Sequence, residues 1–391
     1  MRVRRVSLAV IALVLLSGCD RYLWLQPDGG PDHDRANLGA QTVTPRNVAE
    51  LRTAWHTSGP TRPVVVGVDI YGVSGSTLYA IDAHTGTVIW QDSPGEAITG
   101  GPYIDGPNEV RISYGNPLGI GREASYDRLG AGSAPDGWAT LPMLGALVAR
   151  RDGRSARLLR SPVPYLPTWV QVSGTPLAGL LPVASMTGRA TLGSDRLYLP
   201  VSYNGHTFAV QAFDLASPCE DDRCEPAWTS PYIDDGDVTI GDDGLLYVPG
   251  SSPGLGGVVA LDAVNGTVRW RAAPSVLSEA VASIPGRVFV AGGSSDGAAI
   301  HAVDAATGAD VWAGALPDAS SSVTGVTAVG GEIVFAGVGH RLYAFAVDGC
   351  GAPTCRPRWS AEVEGTVEAV AIARERVVVS TDEGVTAFVV D

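Results

Sequence analysis

The chain has 391 residues with 41 acidic and 27 basic side chains, a formal net charge of −14 and 45% hydrophobic residues. That composition supplies apolar material for a large folded body. The acidic excess argues against nucleic acid and anionic lipid headgroups as partners, because both would be repelled. All the basic residues are Arg, which points to a GC-rich genome.

The chain opens with Arg2, Arg4 and Arg5, an apolar stretch from Leu8 to Leu16, and then Leu16-Ser17-Gly18-Cys19. The apolar run is short for a membrane span and has the form of a signal peptide. Leu-Ser-Gly-Cys resembles the lipobox of bacterial lipoproteins, which implies cleavage before Cys19 and acylation there, so that the acyl chains hold the protein to a membrane. Loss of the three Arg with the signal takes the formal charge from −14 to −17. Residues 26–45, rich in Gly, Pro and Asp, read as a tether. Residues 1–18, 19–46 and 47–391 are therefore expected to be signal peptide, lipid anchor with tether, and a soluble body without a further long apolar segment.

Within the body, LYAIDAHTGTVIW (Leu78 to Trp90) returns as VVALDAVNGTVRW (Val258 to Trp270) and IHAVDAATGADVW (Ile300 to Trp312). Alternating apolar residues flank a Thr-Gly or Asn-Gly corner, the pattern of a β-hairpin. Asp82, Asp262 and Asp304 are placed to accept backbone N–H bonds inside the turn, and Gly86, Gly266 and Gly308 to supply positive φ. Trp90, Trp270 and Trp312 each follow the Asp by eight residues, an even offset that keeps them in phase with the strand alternation. They are expected to pack on the neighbouring sheet. Asp262 and Asp304 stand 42 residues apart, a period suited to a four-stranded propeller blade.

Degenerate copies end at Trp228 and Trp359, and a weaker one, Gly145 to Arg160, lacks the Trp. The last unit offers three strands, and Asn47 to Thr57 supplies a lone strand-like run containing Trp55. The sequence thus predicts an all-β, seven-bladed β-propeller with four-stranded blades, its ring closed by that N-terminal strand.

The pattern Ala80-x-Asp82-x-x-Thr85-Gly86-x-x-x-Trp90 resembles the tryptophan-docking repeat of quinoprotein dehydrogenases and PQQ-like β-propeller proteins. The opening from Trp24 to Trp55 resembles the lead-in of secreted actinobacterial members. This likeness implies the fold more than an activity. A quinoprotein dehydrogenase also implies PQQ, a metal ion and an Asp base. The chain has no adjacent cysteines to match the ring that often covers the cofactor, and no recognisable set of Glu, Asn and Asp ligands.

Cys219 with Cys224, and Cys350 with Cys355, flank short loops at equivalent points of two units, which predicts two hairpin-stapling disulfides in an oxidising compartment. The alternative, a metal site using Glu220, Asp221 and Asp222, has no acidic counterpart in the second loop. His33, His56, His84, His206, His301 and His340 are scattered without metal-ligand spacing. The glycine-rich run Gly250 to Gly257 lies between strands, with no helix to complete a phosphate site.

Two stretches depart from the repeat: Gly115 to Leu144, read as an insertion between the second and third strands of blade two, and Ser161 to Thr187 leading to blade three. Arg122, Tyr126, Arg128, Trp138, Tyr165 and Trp169 lie in them and form the candidate binding face, since long loops on a rigid scaffold often carry function. The expectation is a non-catalytic binding or scaffold propeller, lipid-anchored on the extracytoplasmic face of the cell membrane. It would have no cofactor, and its partner would be an envelope protein or cell-wall component. The alternatives are a PQQ-dependent oxidoreductase and an envelope-assembly lipoprotein resembling the propeller of outer-membrane barrel assembly.

Overall fold

The computed structural model describes residues 23–390 apart from 25–28, 30–31, 106–108, 116–121, 129–143, 152–153, 161–167, 178, 184–188, 204–206, 219–223, 232–235, 251–256, 273–275, 295–296, 318–324 and 374. Among the described residues the strands form eight successive sheets. β-Branched and aromatic residues alternating with small ones favour such strands, and five of the sheets repeat one cross-strand row that a sixth carries with one change. An aromatic on the second strand faces Ala on the third, which faces Trp on the outer strand: Tyr71, Ala80 and Trp90 in the first sheet, Tyr198, Ala212 and Trp228 in the fourth. The fifth has Tyr247, Ala260 and Trp270, the sixth Phe289, Ala302 and Trp312, and the seventh Phe335, Ala344 and Trp359. In the eighth the row reads Val378, Ala387 and Trp55. Large side chains separated by Ala interdigitate without overpacking.

The expected seven four-stranded blades closed into a ring are corrected here. The described residues give eight sheets, of three to six strands, and no sheet closes into a ring. The miscount arose between residues 98 and 183. Arg122–Asp127, inside the supposed insertion, is a strand paired antiparallel with Glu109–Tyr114 and belongs to the second sheet. Leu144–Arg151, Arg154–Arg160, Thr168–Ser173 and Gly179–Val183 form a third sheet of their own. Neither sheet carries the Asp-x-x-Thr-Gly turn followed by Trp, so two sheets read as one long irregular unit. Extra strands enlarge three other sheets: Leu23–Trp24 pairs with Val65 and Val66, Ala36–Asn37 runs parallel to Val329 and Gly330, and Thr354–Cys355 runs parallel to Ala313 and Gly314. The N-terminal strand Arg52–Ser58 pairs antiparallel with Gly384–Val389 at the end of the chain.

Neighbouring sheets are joined by their Trp residues. Each indole Nε1 donates to a turn carbonyl of the next sheet: Trp228 to Ala263 at 3.3 Å, Trp270 to Ala305 at 2.8 Å and Trp312 to Val347 at 3.0 Å. Trp359 donates to Leu51 at 2.9 Å, and Trp55 to Ala83 of the first sheet at 2.9 Å, so the eighth sheet lies against the first. The indole rings press on the turn glycines, and a Cβ at Gly86 or Gly308 would come within 2.6 Å of Trp55 or Trp270. Trp90 instead stacks on Tyr126 of the second sheet, centroids 6.0 Å apart. The five junctions with an indole bond thus combine aromatic burial with one hydrogen bond whose loss leaves a buried or half-buried donor unpaired.

Residues 32–45, the Gly-, Pro- and Asp-rich stretch, lie against the body. Ile240 N donates to Asp32 O at 2.9 Å, Ser283 N to Asp34 O at 2.8 Å and Val329 N to Arg35 O at 2.8 Å. Thr239 Oγ1 donates to His33 O, and Asn37 Nδ2 to Ile372 O at 2.9 Å. The segment therefore crosses the first strands of the fifth, sixth, seventh and eighth sheets as a strap. His33 and Arg35 adopt φ of 53° and 51°, a left-handed conformation costing roughly 1–2 kcal/mol per residue. The strap's carbonyl bonds offset that cost.

Candidate functional site

Two features outside the repeat hold polar chemistry: the strap, and a cavity where the first and eighth sheets meet. In the strap, His33, Arg35 and Asn37 are buried. Arg35 Nη2 lies 3.7 Å from Asp237 Oδ2, and His33 Nδ1 is 3.4 Å from Thr191 Oγ1. Burial pushes the His33 imidazole down to about 4, opposed by the charge of Asp237. Burial pushes the Asp34 carboxyl up to about 6, partly offset by the Ala36 N–H and reinforced by Asp32 and Asp242. Asp237 Oδ1 also accepts from Arg189 N at 2.8 Å. The carboxylate therefore pairs with the strap on one side and fastens the chain between sheets on the other. This arrangement suits a lock holding the N-terminal segment in place.

The cavity has a volume of about 300 Å³ and is lined by Val65, Gly67, Val68, Ala83, His84, Ala373, Glu375 and Arg376. Its residues come from the first turn and hairpin corner of the first sheet and the first turn of the eighth. Arg376 Nε is buried without a hydrogen-bond partner, and burial pulls the guanidinium pKa below its ordinary value. The cavity has mixed walls, with Val65, Val68, Ala83 and Ala373 on the apolar side and His84, Glu375 and the half-buried Arg376 on the polar side.

Of the candidate face, the structure describes the side chains of Tyr126 and Arg128. Tyr126 is 3% exposed and packed on Trp90. Arg128 is ion-paired with Asp69 at 3.2 Å, and its carbonyl accepts from Tyr71 Oη at 3.3 Å. Both join the first and second sheets. The backbones of Arg122 and Trp169 lie in strands of the second and third sheets. Trp138 and Tyr165 lie outside the described residues, as do Cys19 and Cys219.

The repeat acids each use Oδ1 to accept bonds inside their own turn. Asp82 Oδ1 accepts from His84 N at 2.9 Å and Thr85 N at 2.8 Å, and Asp262 Oδ1 from Val264 N at 2.8 Å and Asn265 N at 3.1 Å. Asp304 Oδ1 accepts from Thr307 N at 3.0 Å and Thr307 Oγ1 at 2.8 Å. The Thr307 bonds hold the Asp304 carboxyl below its usual range. A carboxylate held this way makes a poor base. Gly86, Gly266 and Gly308 sit at φ of 71–72°.

Cys350 and Cys355 form a disulfide with Cα atoms 5.7 Å apart, and Cys224 is also disulfide-bonded. The Cys350 loop places Thr354–Cys355 on the outer strand of the sixth sheet, so the staple also covers a sheet edge. Among the described residues no three His, Cys, Asp or Glu side chains converge as a metal site.

Comparison with known proteins then bears on the fold. A family profile described as outer membrane protein assembly factor BamB matches residues 220–350 and 297–391. Together these spans cover somewhat under half of the chain. BamB from Moraxella catarrhalis is 17% identical, with a TM-score of 0.52 over 89% of this chain and 98% of that one. The quinohemoprotein alcohol dehydrogenase ADHIIG from Pseudomonas putida HK5 is 13% identical, with a TM-score of 0.64 over 97% of this chain and 82% of that one. No curated protein matches. The fold resembles the PQQ-like β-propeller of BamB-type proteins. Identities this low speak to fold alone, so the choice between a scaffold and an oxidoreductase rests on the residues. The sequence did not point to the strap or the cavity, although Val378 breaking the aromatic row is a readable signal for the cavity.

Proposed function

We propose that this chain is a non-catalytic scaffold acting in envelope assembly, held to the extracytoplasmic face of the cell membrane by acylation of Cys19. The observation that carries this reading is the BamB profile match over residues 220–391, in the part of the chain where the repeat is most regular. The site chemistry agrees with it, since the repeat acids are spent on turns and a buried ion pair locks the N-terminal strap. PQQ-dependent oxidation, an activity found on a similar fold, is the competing reading. Among the described residues no three His, Cys, Asp or Glu side chains cluster in support of that reading.

Removing residues 115–144 would delete the strand Arg122–Asp127, so a loop deletion is a poor test. Photo-cross-linking residues placed at the exposed positions Val68, Tyr203, Val264 and Val311 leave the sheets intact. The scaffold reading expects the same envelope membrane protein to be captured in living cells from at least one position. It also expects Cys19→Ala to move the protein to the soluble fraction. No capture, together with substrate oxidation after PQQ and calcium are supplied, would reverse the assignment.

A further inference from the structure

The cavity between the first and eighth sheets occupies the place that a tyrosine fills elsewhere in the same molecule. At the junction of the fourth and fifth sheets, Tyr198 Oη donates to Ala263 O at 3.3 Å. A Cβ at Gly193 would lie 3.4 Å from both Tyr198 Cε2 and Ile240 Cδ1, so the ring and Ile240 both abut Gly193, in one packed cluster. Arg196 Nη1 reaches Ala263 O at 2.8 Å and Val264 O at 3.0 Å, closing the space from outside.

The strand registers give each of these residues a counterpart in the eighth and first sheets. Tyr198 faces Thr191 and Ala212, as Val378 faces Ala371 and Ala387. Ile240 pairs with Leu246 as Val65 pairs with Ile70. Ala263 and Ala83 both accept from the Trp of the preceding sheet. Gly193, Arg196, Ile240, Ala263 and Val264 therefore correspond to Ala373, Arg376, Val65, Ala83 and His84, and all five counterparts line the cavity. The residue that fills the space at one junction is a tyrosine, and at the other it is Val378. Arg376 Nε, like Arg196 Nε, is buried without a hydrogen-bond partner, and burial works against the Arg376 charge.

We propose that this cavity is a binding site for a phenol ring. The ring would take the place of the missing tyrosine between Val65 and Ala373, with its hydroxyl donating to Ala83 O and a substituent para to it passing Arg376 toward solvent. A volume of about 300 Å³ holds one ring and its substituent, at the small end of ligand sites. The mixed walls suit such a ligand, which needs apolar contact along the ring and an acceptor at its tip. The chemistry is shared by a free phenolic compound and by a tyrosyl side chain presented by a peptide. Glu375 and Asp82 near Arg376 disfavour a ligand whose recognition depends on a strong negative charge.

The test titrates the full mature protein with 4-methylphenol, with N-acetyl-tyrosinamide, and with 4-methylcyclohexanol as a non-aromatic control, followed by ligand-observed NMR and calorimetry. Saturable binding at one site per chain is expected for 4-methylphenol, with the cyclohexanol clearly weaker. Binding of N-acetyl-tyrosinamide as well would assign the site to tyrosyl side chains, and its absence would assign it to free phenolics. Val378→Tyr should fill the cavity from within, weaken binding roughly tenfold or more, as expected for excluding one buried ring, and leave the melting temperature unchanged or higher. Ala373→Leu, which narrows the cavity without adding a ring, should weaken binding in the same direction and serves if the tyrosine variant does not fold. Absence of saturable binding to the wild type, or equal affinity in wild type and in whichever filled variant folds, would overturn the proposal.

Discussion

Replacing Gly308 by Ala should destabilise the protein far more than the same change at Gly286, although both glycines have nearly the same backbone conformation. Their φ angles are 71° and 78°, and an L-residue there costs roughly 1–2 kcal/mol. The unfolded-chain contribution of Gly to Ala is common to both. The surroundings differ. A Cβ at Gly286 meets nothing within 4 Å, whereas at Gly308 it would lie 2.5 Å from Trp270 Cε3 and 2.6 Å from Cδ2. The indole must shift, at an overpacking cost of about 1–3 kcal/mol, and its 2.8 Å bond to Ala305 O is weakened, which removes about 1 kcal/mol more. Gly308→Ala should therefore cost about 3–6 kcal/mol and Gly286→Ala about 1–2 kcal/mol. Urea unfolding followed by tryptophan fluorescence measures the difference through the midpoints, provided the slopes agree. Equal destabilisation would refute the argument that turn glycines are docking plates for the preceding sheet's Trp.

Three further outcomes follow from the same structure. Between about pH 4 and 6 the strap groups oppose one another. Neutral His33, with its lowered pKa, contributes stability present above the unfolded value near 6.5 and lost as pH falls toward 4. Asp34, with its raised pKa, loses stability as pH rises from about 4 to 6. His33→Gln should therefore make the protein gain on the order of 2–3 kcal/mol on acidification from pH 6 to 4 relative to wild type, and Asp34→Asn should make it lose a similar amount, read by urea midpoints across that range. The double variant Cys350→Ser, Cys355→Ser should cost about 2 kcal/mol, the chain-entropy value for so short a loop. It should also raise hydrogen exchange at Ala313, whose N–H bonds to Pro353 O at 2.8 Å. Asp304→Ala strips the acceptor from two bonds of one turn and should lower stability by roughly 1–3 kcal/mol in chemical denaturation, without altering any binding capacity.

Where the unit is regular, the sequence carries its own geometry. The turn acids and glycines stand in the turns, and the indoles pack on the next sheet, although a register shift between Asp and Trp in each regular hairpin means that the constant spacing, not unbroken alternation, sets their side. Pairing of Arg52–Ser58 with Gly384–Val389 was also readable, since an unpaired N-terminal strand and an incomplete last unit are complementary. The second and third sheets were not separable. Without the turn signature, Gly115 to Leu144 resembles a loop, and Arg122–Asp127 is too short to stand out by period alone. The strap was hidden for a different reason. Its Gly, Pro and Asp content is that of a tether, but His33 and Arg35 are held in a left-handed conformation by bonds to residues some 200 to 300 positions away, and local composition does not report such contacts. Tyr126 and Arg128, read from the sequence as part of a loop face, are packed between two sheets, a contact that local sequence does not report.

The most direct measurement of the scaffold reading is quantitative proteomics of the cell envelope in a strain lacking this protein and in the same strain complemented with it. The account predicts that a group of membrane-embedded envelope proteins falls in abundance and returns with wild-type protein, and returns poorly with Cys19→Ala. An envelope proteome unchanged by deletion and complementation would contradict it.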